Sequence, residues 1–204
     1  MFSAYAVVCY VASLRGVEGF LLDLAGLIRY WRPERKEYVI IPLLGKIKRE
    51  SNDAAHLIPC VPVTSSGIDV KYVLERLIKA KESLGLRDGP AISEETGKLL
   101  ESREIDDMLT ELLINCYHED RNLFPVDVDT EDKIRDNYQC FRTFRRTSDT
   151  RALEKKVSES DVDIVNRWKT LETAEGSRPG RPMRQHYAQL DLLMKPFLRY
   201  TFAM

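Results

Sequence analysis

Apolar side chains recur every three to four residues along most of this 204-residue chain, and this spacing constrains its fold more than any other feature. The clearest example lies in residues 69–84, where the apolar positions follow an i, i+3, i+4, i+7, i+8 pattern. These positions are Val70, Val73, Leu74, Leu77 and Ile78. The pattern predicts an amphipathic helix that buries one face against a largely helical core.

The same reasoning predicts further helices on both sides of this segment. They cover residues 2–14, 17–28, 102–116, 144–156, 158–168 and 184–202. Pro33 follows the second of them and cannot continue a helix, and Pro196 bends or breaks the last one. Residues 118–138 are polar and irregular. Residues 171–183 contain two glycines and two prolines, a composition typical of a flexible connector.

One region departs from helical spacing. Residues 37–43 (EYVIIPL) are rich in β-branched side chains, and residues 56–63 (HLIPCVPV) form a second such run. Together they predict an antiparallel hairpin with a long basic tip, and their prolines favour an edge position in the sheet. The expected fold class is therefore mainly α with a small antiparallel β-hairpin or sheet, an α+β arrangement.

Several classes of protein are disfavoured by what the sequence lacks. It has no parallel βαβ pattern and no glycine-rich phosphate loop, which argues against a nucleotide-binding doubly wound fold. No apolar run reaches the roughly 18 residues that a membrane span needs. The three histidines lack metal-ligand spacing, and the four cysteines form no CxxC pair. These features predict a reduced protein of the cytosol or nucleus without a zinc site.

Charge is strongly segregated along the chain, although the net charge is only −1. Acidic residues outnumber basic ones by nine between residues 94 and 136, whereas residues 142–156 contain six basic and two acidic residues. Residues 178–199 are again basic in balance. A local excess of cations is what a nucleic acid requires, because each phosphate contact uses one. The alternative is a solvated helix face with its counter-charges elsewhere.

Breaking a phosphodiester without a metal requires a nucleophile, cations on the non-bridging oxygens and an acid for the leaving oxygen. Arginine suits the phosphate because its planar fork donates two hydrogen bonds at once. Five segments supply such groups in order along the chain: Ser13–Glu18 (SLRGVE), Gly45–Lys46 (GK), Phe144–Thr147 (FRRT), Asn166–Trp168 (NRW) and Met183–Tyr187 (MRQHY). Taken singly, each segment is more often an ordinary cap, surface or interface feature.

In this order, with a hairpin between the first and the third, the segments resemble the tyrosine recombinase (phage integrase) family over nearly the whole chain. The resemblance implies an enzyme that cuts and rejoins DNA through a 3′-phosphotyrosine intermediate. It implies that Arg15, Arg145 and Trp168 stabilise the charge of the transition state. Lys46 then protonates the leaving 5′ oxygen, and Tyr187 attacks the phosphate.

The resemblance also implies DNA-binding roles for Arg142, Arg146 and Lys48. Lys48 is the fallback for the catalytic lysine, and Tyr200 is the fallback for the nucleophile. Arg142 stands three residues before Arg145, where the family has a histidine. An arginine can hold a phosphate there, but it cannot act as a base at neutral pH.

For the organisation of the protein, the resemblance implies one catalytic domain over residues 1–204, truncated at its N-terminus and without the family's DNA-clamping domain. Residues 184–204 are then the C-terminal helical segment that carries the nucleophile. The implied partners are double-stranded DNA and three further copies in a synaptic homotetramer. No metal, cofactor, small-molecule ligand or membrane is implied.

Two alternatives stand beside this interpretation. The arginine at position 142 and the missing clamp favour a decayed or domesticated module that holds DNA without cutting it. An unrelated helical structural or interaction protein is the other alternative, and it predicts that the five candidate catalytic side chains do not converge. The sequence also does not separate a site-specific recombinase from a type IB topoisomerase, which shares the chemistry.

Overall fold

The computed structural model describes residues 1–25, 27, 29–31, 38–43, 56–138, 140–166 and 195–204, and within them the protein is mainly helical, as the periodicity predicts. The helices in chain order are α1 (Phe2–Val11), α2 (Gly16–Gly19), α3 (Val70–Ser83), α4 (Ser102–Glu119), α5 (Glu131–Asn137), α6 (Cys140–Glu154), α7 (Glu159–Val165) and α8 (residues 195–203). None of these helices is long and apolar enough to cross a membrane.

Three short strands form an antiparallel sheet in the order β1-β2-β3: β1 (Arg29–Trp31), β2 (Tyr38–Leu43) and β3 (His56–Cys60). β2 pairs with β3 from Val39 to Leu43, which confirms the predicted hairpin. The predicted edge position is wrong for β2, which lies between the other two strands. Pro42 is tolerated there because the described pairing with β1 stops at Ile40, two residues before it.

The predicted helix over residues 17–28 is wrong beyond its first turn. α2 ends at Gly19, and after a turn Leu22 and Asp23 lie beside residues 89–91, where Asp23 forms an isolated β-bridge with Pro90. Two backbone hydrogen bonds hold this segment there: Leu24 N to Gly89 O at 3.0 Å, and Ala91 N to Leu22 O at 2.8 Å. Leu22, Leu24 and Leu27 are still buried, but by tertiary contacts, which override local helix preference.

Helix α1 lies at the centre of the main hydrophobic core, where it contacts α2, α3, α4 and α6. Half of its ten residues are buried: Ala4, Tyr5, Val8, Cys9 and Val11. A helix packed on several sides needs apolar residues around most of its circumference, which is the composition of residues 2–11. The prediction of a buried first helix is therefore confirmed, with its end at Val11.

A second, smaller core occurs in residues 118–138, where the sequence predicts irregular structure. Phe124, Val128 and Ile134 are buried there against the last turns of α4. Thr130 caps α5 by accepting a hydrogen bond from the backbone N–H of Lys133 at 3.3 Å. A seven-residue helix is too short to leave a clear periodic pattern in the sequence, which explains why α5 is not predicted.

Helix α8 is attached to two distant parts of the chain. Arg199 forms a bidentate ion pair with Asp161 of α7, with both N–O distances at 2.7 Å. The backbone N–H of Ser65 donates to Phe202 O at 2.7 Å, and Thr201 Oγ1 accepts from the N–H of Val61 at 3.2 Å. These contacts fix the axial position of α8, and its inner face therefore has a defined set of neighbours.

Replacing Gly19 with alanine is expected to destabilise the fold, because α2 approaches α1 too closely for a side chain. A Cβ at this position would lie 2.5 Å from Cys9 Sγ and 2.7 Å from Tyr5 Cε2. We expect a loss of about 1–3 kcal/mol in the free energy of unfolding, measured by urea denaturation. The Cys9→Ala/Gly19→Ala double variant removes one of the two contacts and is expected to recover part of that loss. Unchanged stability in Gly19→Ala would show that the two helices are not this close.

Candidate active site

The turn between α1 and α2 places Arg15 at the edge of the core. Ser13 has a left-handed backbone with φ of 48°, and this ends α1 in a Schellman motif. The N–H of Leu14 donates to Cys9 O at 2.9 Å, and the N–H of Ser13 donates to Tyr10 O at 3.4 Å. Leu14 is completely buried, so the turn is anchored and Arg15 follows from a fixed position.

Glu18 holds Arg15 through both its backbone and its side chain. One carboxylate oxygen, Oε2, accepts from the backbone N–H of Arg15 at 2.9 Å, and the other, Oε1, lies 3.3 Å from Arg15 Nη1. The first contact is one half of a capping box, in which the N3 carboxylate of Glu18 accepts from the backbone N–H of the N-cap residue Arg15. The Glu18 side chain is 4% exposed and that of Arg15 is 33% exposed, so one side of the guanidinium is accessible from solvent.

Arg145 reaches the same carboxylate from α6, 130 residues along the chain from Arg15. Its Nη1 lies 3.9 Å from Glu18 Oε2, and its Nη2 donates to the backbone oxygen of Asn166 at 2.8 Å. The Arg145 side chain is only 10% exposed and forms part of the floor of the site. The structure thus brings together the two arginines that the sequence singles out.

Among the described residues, Arg15, Arg145 and Glu18 together carry one net positive charge, and the Asp149 carboxylate lies in the adjoining polar cluster. A buried carboxylate between two arginines stabilises them against mutual repulsion and holds both at a defined spacing. An anion at the exposed side of Arg15 would meet a partly desolvated cation, where electrostatic attraction is stronger than in water. A phosphate group, which arginine binds through paired hydrogen bonds, fits this requirement.

A buried polar cluster lies directly behind the two arginines. Its centre is Asp149 Oδ1 on α6, which lies 3.0 Å from Ser13 Oγ, 2.9 Å from Asn166 Nδ2 and 2.6 Å from Tyr200 Oη. Ser148 Oγ lies 3.0 Å from the same tyrosine oxygen. The sequence gives no sign of this cluster, because its members lie on four separate segments and follow no motif spacing.

Tyr200, the fallback nucleophile, does not suit that role. Its side chain is completely buried on the inner face of α8, where DNA cannot reach it. Burial and the hydrogen bond to the Asp149 carboxylate raise the pKa of the Tyr200 phenol, so the nucleophilic phenolate is disfavoured. The hydroxyl acts as a structural donor.

The structure describes some of the remaining candidate residues, and the others lie outside the described part of the chain. Arg146 is exposed on α6 next to Arg145, in position for a solvent-side contact. The backbone of Arg142 lies on the same helix, one turn earlier. Four candidates lie outside the described residues: Lys46, Lys48, Trp168 and Tyr187. The connector predicted over residues 171–183 also lies outside them.

Comparison with known proteins returns no relative, since no protein-family model, curated protein or solved structure matches this chain. The resemblance to the tyrosine recombinases is therefore carried by residues and their order alone. A proposal for the function therefore rests on the geometry of the site.

Replacing Glu18 with glutamine is expected to destabilise the protein, because it leaves two close guanidinium groups without their shared negative charge. We expect a loss of about 3 kcal/mol in the free energy of unfolding. The matched control is Glu154→Gln, since Glu154 pairs with Arg151 at 3.3 Å but is 59% exposed. The control is expected to change stability by less than about 0.5 kcal/mol. Equal small effects in both variants would mean that Glu18 does not hold the arginine pair.

Proposed function

We propose that this protein cleaves and rejoins DNA strands through a tyrosine, as a divergent relative of the tyrosine recombinases. One observation carries the proposal: Arg15 and Arg145, the arginines of two of the family-like segments, both lie beside Glu18 although they are 130 residues apart in the chain. This convergence supports the proposal, because the alternative of an unrelated helical protein predicts that the candidate catalytic side chains do not meet. The mainly helical fold with a small antiparallel sheet between the two segments is compatible with the proposal.

In the proposed reaction the arginine pair binds the non-bridging oxygens of the scissile phosphate. Tyr187 loses its phenolic proton to solvent and attacks phosphorus as the phenolate, the bond to the 5′ oxygen breaks, and Lys46 gives that oxygen its proton. Trp168 donates a further hydrogen bond to the phosphate. Charge builds up on the non-bridging oxygens in the transition state, and fixed donors at that point lower the barrier. Attack by a 5′ hydroxyl on the phosphotyrosine reverses the steps and restores a continuous strand.

Helix α6 is the proposed DNA-facing surface of the site. It carries Arg145 at the floor, and Arg146 is exposed beside it. The sequence from residue 142 to residue 156 has four more basic than acidic residues, which provides phosphate contacts on both sides of the scissile one. We assign Arg142, Arg146 and Lys48 to these contacts. Recombination would further require two duplexes held by a homotetramer, which is part of the proposal.

The second candidate function is binding of DNA without cleavage. The observation that favours it is Arg142 at the position where the family has a histidine, since arginine cannot relay a proton at neutral pH. The same arginine pair would then hold a backbone phosphate that is never attacked.

Covalent trapping separates the two functions. The substrate is a pool of random-sequence duplexes in which one phosphate beside a nick carries sulfur in place of its bridging 5′ oxygen. The protein is incubated with this pool, the mixture is denatured, and a gel is examined for a protein–DNA adduct. We expect an adduct with the wild type, none with Tyr187→Phe, and an unchanged yield with Tyr72→Phe. Tyr72 is the matched control because it is 55% exposed on α3, away from the site. Salt-sensitive binding without any adduct would favour the binding module, and absence of both would contradict both functions.

The same substrate tests the role of Lys46. A thiolate is a much better leaving group than an alkoxide and departs without a proton, since thiols have a pKa near 8.5. We expect the Lys46→Ala substitution to lower the rate of cleavage of an ordinary duplex by about 10²–10⁴-fold. The same variant is expected to cleave the sulfur-bridged duplex at close to the wild-type rate. Arg145→Ala is the comparison variant, because its defect in holding the phosphate is expected to persist with sulfur. Equal defects of Lys46→Ala on both substrates would exclude it as the acid.

A further inference from the structure

Asn166 forms hydrogen bonds that reach both arginines, one of them directly and the other through a neighbouring residue. It follows the end of α7, and only 1% of its surface is exposed. Its backbone oxygen accepts from Arg145 Nη2 at 2.8 Å, and its side-chain oxygen lies 2.7 Å from Ser13 Oγ. Ser13 lies in the turn that presents Arg15. Asn166 therefore contacts Arg145 directly and supports Arg15 indirectly, through Ser13.

The side chain of Asn166 has a fixed orientation because Asp149 determines it. Asn166 Nδ2 donates to Asp149 Oδ1 at 2.9 Å, which leaves its oxygen for Ser13. Asp149 is itself held by the Tyr200 hydroxyl at 2.6 Å. Hydrogen-bonded side-chain networks of this kind rigidify the groups that they connect. The chain of contacts runs from α8 through Asp149 and Asn166 to both arginine supports.

The backbone of Ser13 supports a role beyond packing. A left-handed conformation at a helix C-terminus is usually taken by glycine, because a side chain is strained there. Ser13 adopts φ of 48° and is completely buried. Its hydroxyl is what glycine would lack, and that hydroxyl donates its single proton to Asn166 Oδ1 at 2.7 Å, with Asp149 Oδ1 at 3.0 Å as the second acceptor within reach.

We propose that Asn166 is a positioning residue that sets the spacing of Arg15 and Arg145 for one phosphate, and that Tyr200 transmits the docking of α8 to this spacing through Asp149. The inference rests on the proposed function, since it assumes that the arginine pair binds phosphate. It adds that phosphate affinity depends on α8, although the Tyr200 hydroxyl on that helix does not touch the phosphate.

The chemical reason is the geometry of arginine. A guanidinium forms two parallel hydrogen bonds to a phosphate only when its plane and distance are both correct. Without the Asn166 side chain, the turn at Ser13 loses one neighbour and the carbonyl that orients Arg145 loses its anchor. The arginines would remain charged and present, but would no longer share a phosphate.

The test measures binding of a short DNA duplex across a range of salt concentrations. The variants are Asn166→Ala, Tyr200→Phe, Arg145→Ala and the Asn166→Ala/Arg145→Ala pair, each confirmed as folded by circular dichroism. Thr201→Val is the matched control, since Thr201 is a buried neighbour of Tyr200 whose hydroxyl bonds to Val61 outside the network. Ser13→Gly serves in place of Asn166→Ala if the latter does not fold, because it removes the hydroxyl and relieves the backbone.

We expect Asn166→Ala and Tyr200→Phe to weaken binding about 5- to 20-fold and to reduce the salt slope by about one phosphate contact. In the Arg145→Ala background the Asn166 substitution is expected to have a much smaller effect than in the wild type, because without Arg145 there is no pair whose spacing Asn166 can set. Thr201→Val is expected to bind as the wild type does, although it loses a buried hydrogen bond.

Three results would overturn the inference, and they differ from failure of the proposed function. They are normal binding by Asn166→Ala while Arg145→Ala is defective, additive losses in the double variant, and a loss in Thr201→Val equal to that in Tyr200→Phe. Normal binding by Arg145→Ala itself would instead overturn the proposed function, and the inference with it.

Discussion

The carboxylate of Glu18 is the interaction on which the rest of the site depends. It caps the start of α2 through the backbone of Arg15, pairs with the Arg15 side chain and lies 3.9 Å from Arg145. Two guanidinium groups beside one carboxylate repel each other if its buried negative charge is removed. Because Glu18 is itself within the core, the fold that forms around α1 also sets the position of the cations.

Much of the fold follows from sequence patterns, and the exceptions have physical causes. The amphipathic stripe from Val70 to Ile78 predicts α3, and the β-branched run predicts the β2–β3 hairpin; both are confirmed. The apolar residues between 20 and 27 also have helical spacing, but this segment leaves the helix after Gly19 and pairs with residues 89–91 through backbone hydrogen bonds. Spacing alone does not distinguish burial by a helix from burial by pairing with a distant segment.

The residues of the site also fall into two groups: those that a short sequence motif indicates, and those that only tertiary contacts reveal. Arg15 and Arg145 stand out because each lies in a short recognisable segment, whereas Asp149, Asn166 and Tyr200 carry no such signal. Their importance comes from contacts between α6, α7 and α8, and those contacts exist only in the folded chain. The strained backbone of Ser13 belongs to this second group, since a serine at a left-handed helix end cannot be recognised from its sequence neighbours.

A crystal structure of the protein bound to a DNA duplex tests the central claim most directly, because that claim is geometric. We predict that the guanidinium groups of Arg15 and Arg145 both lie within about 2.7–3.2 Å of non-bridging oxygens of one phosphate. The same structure would then place Tyr187 relative to that phosphorus atom. A duplex bound elsewhere, with both arginines still occupied by Glu18 and no phosphate near them, would contradict the account.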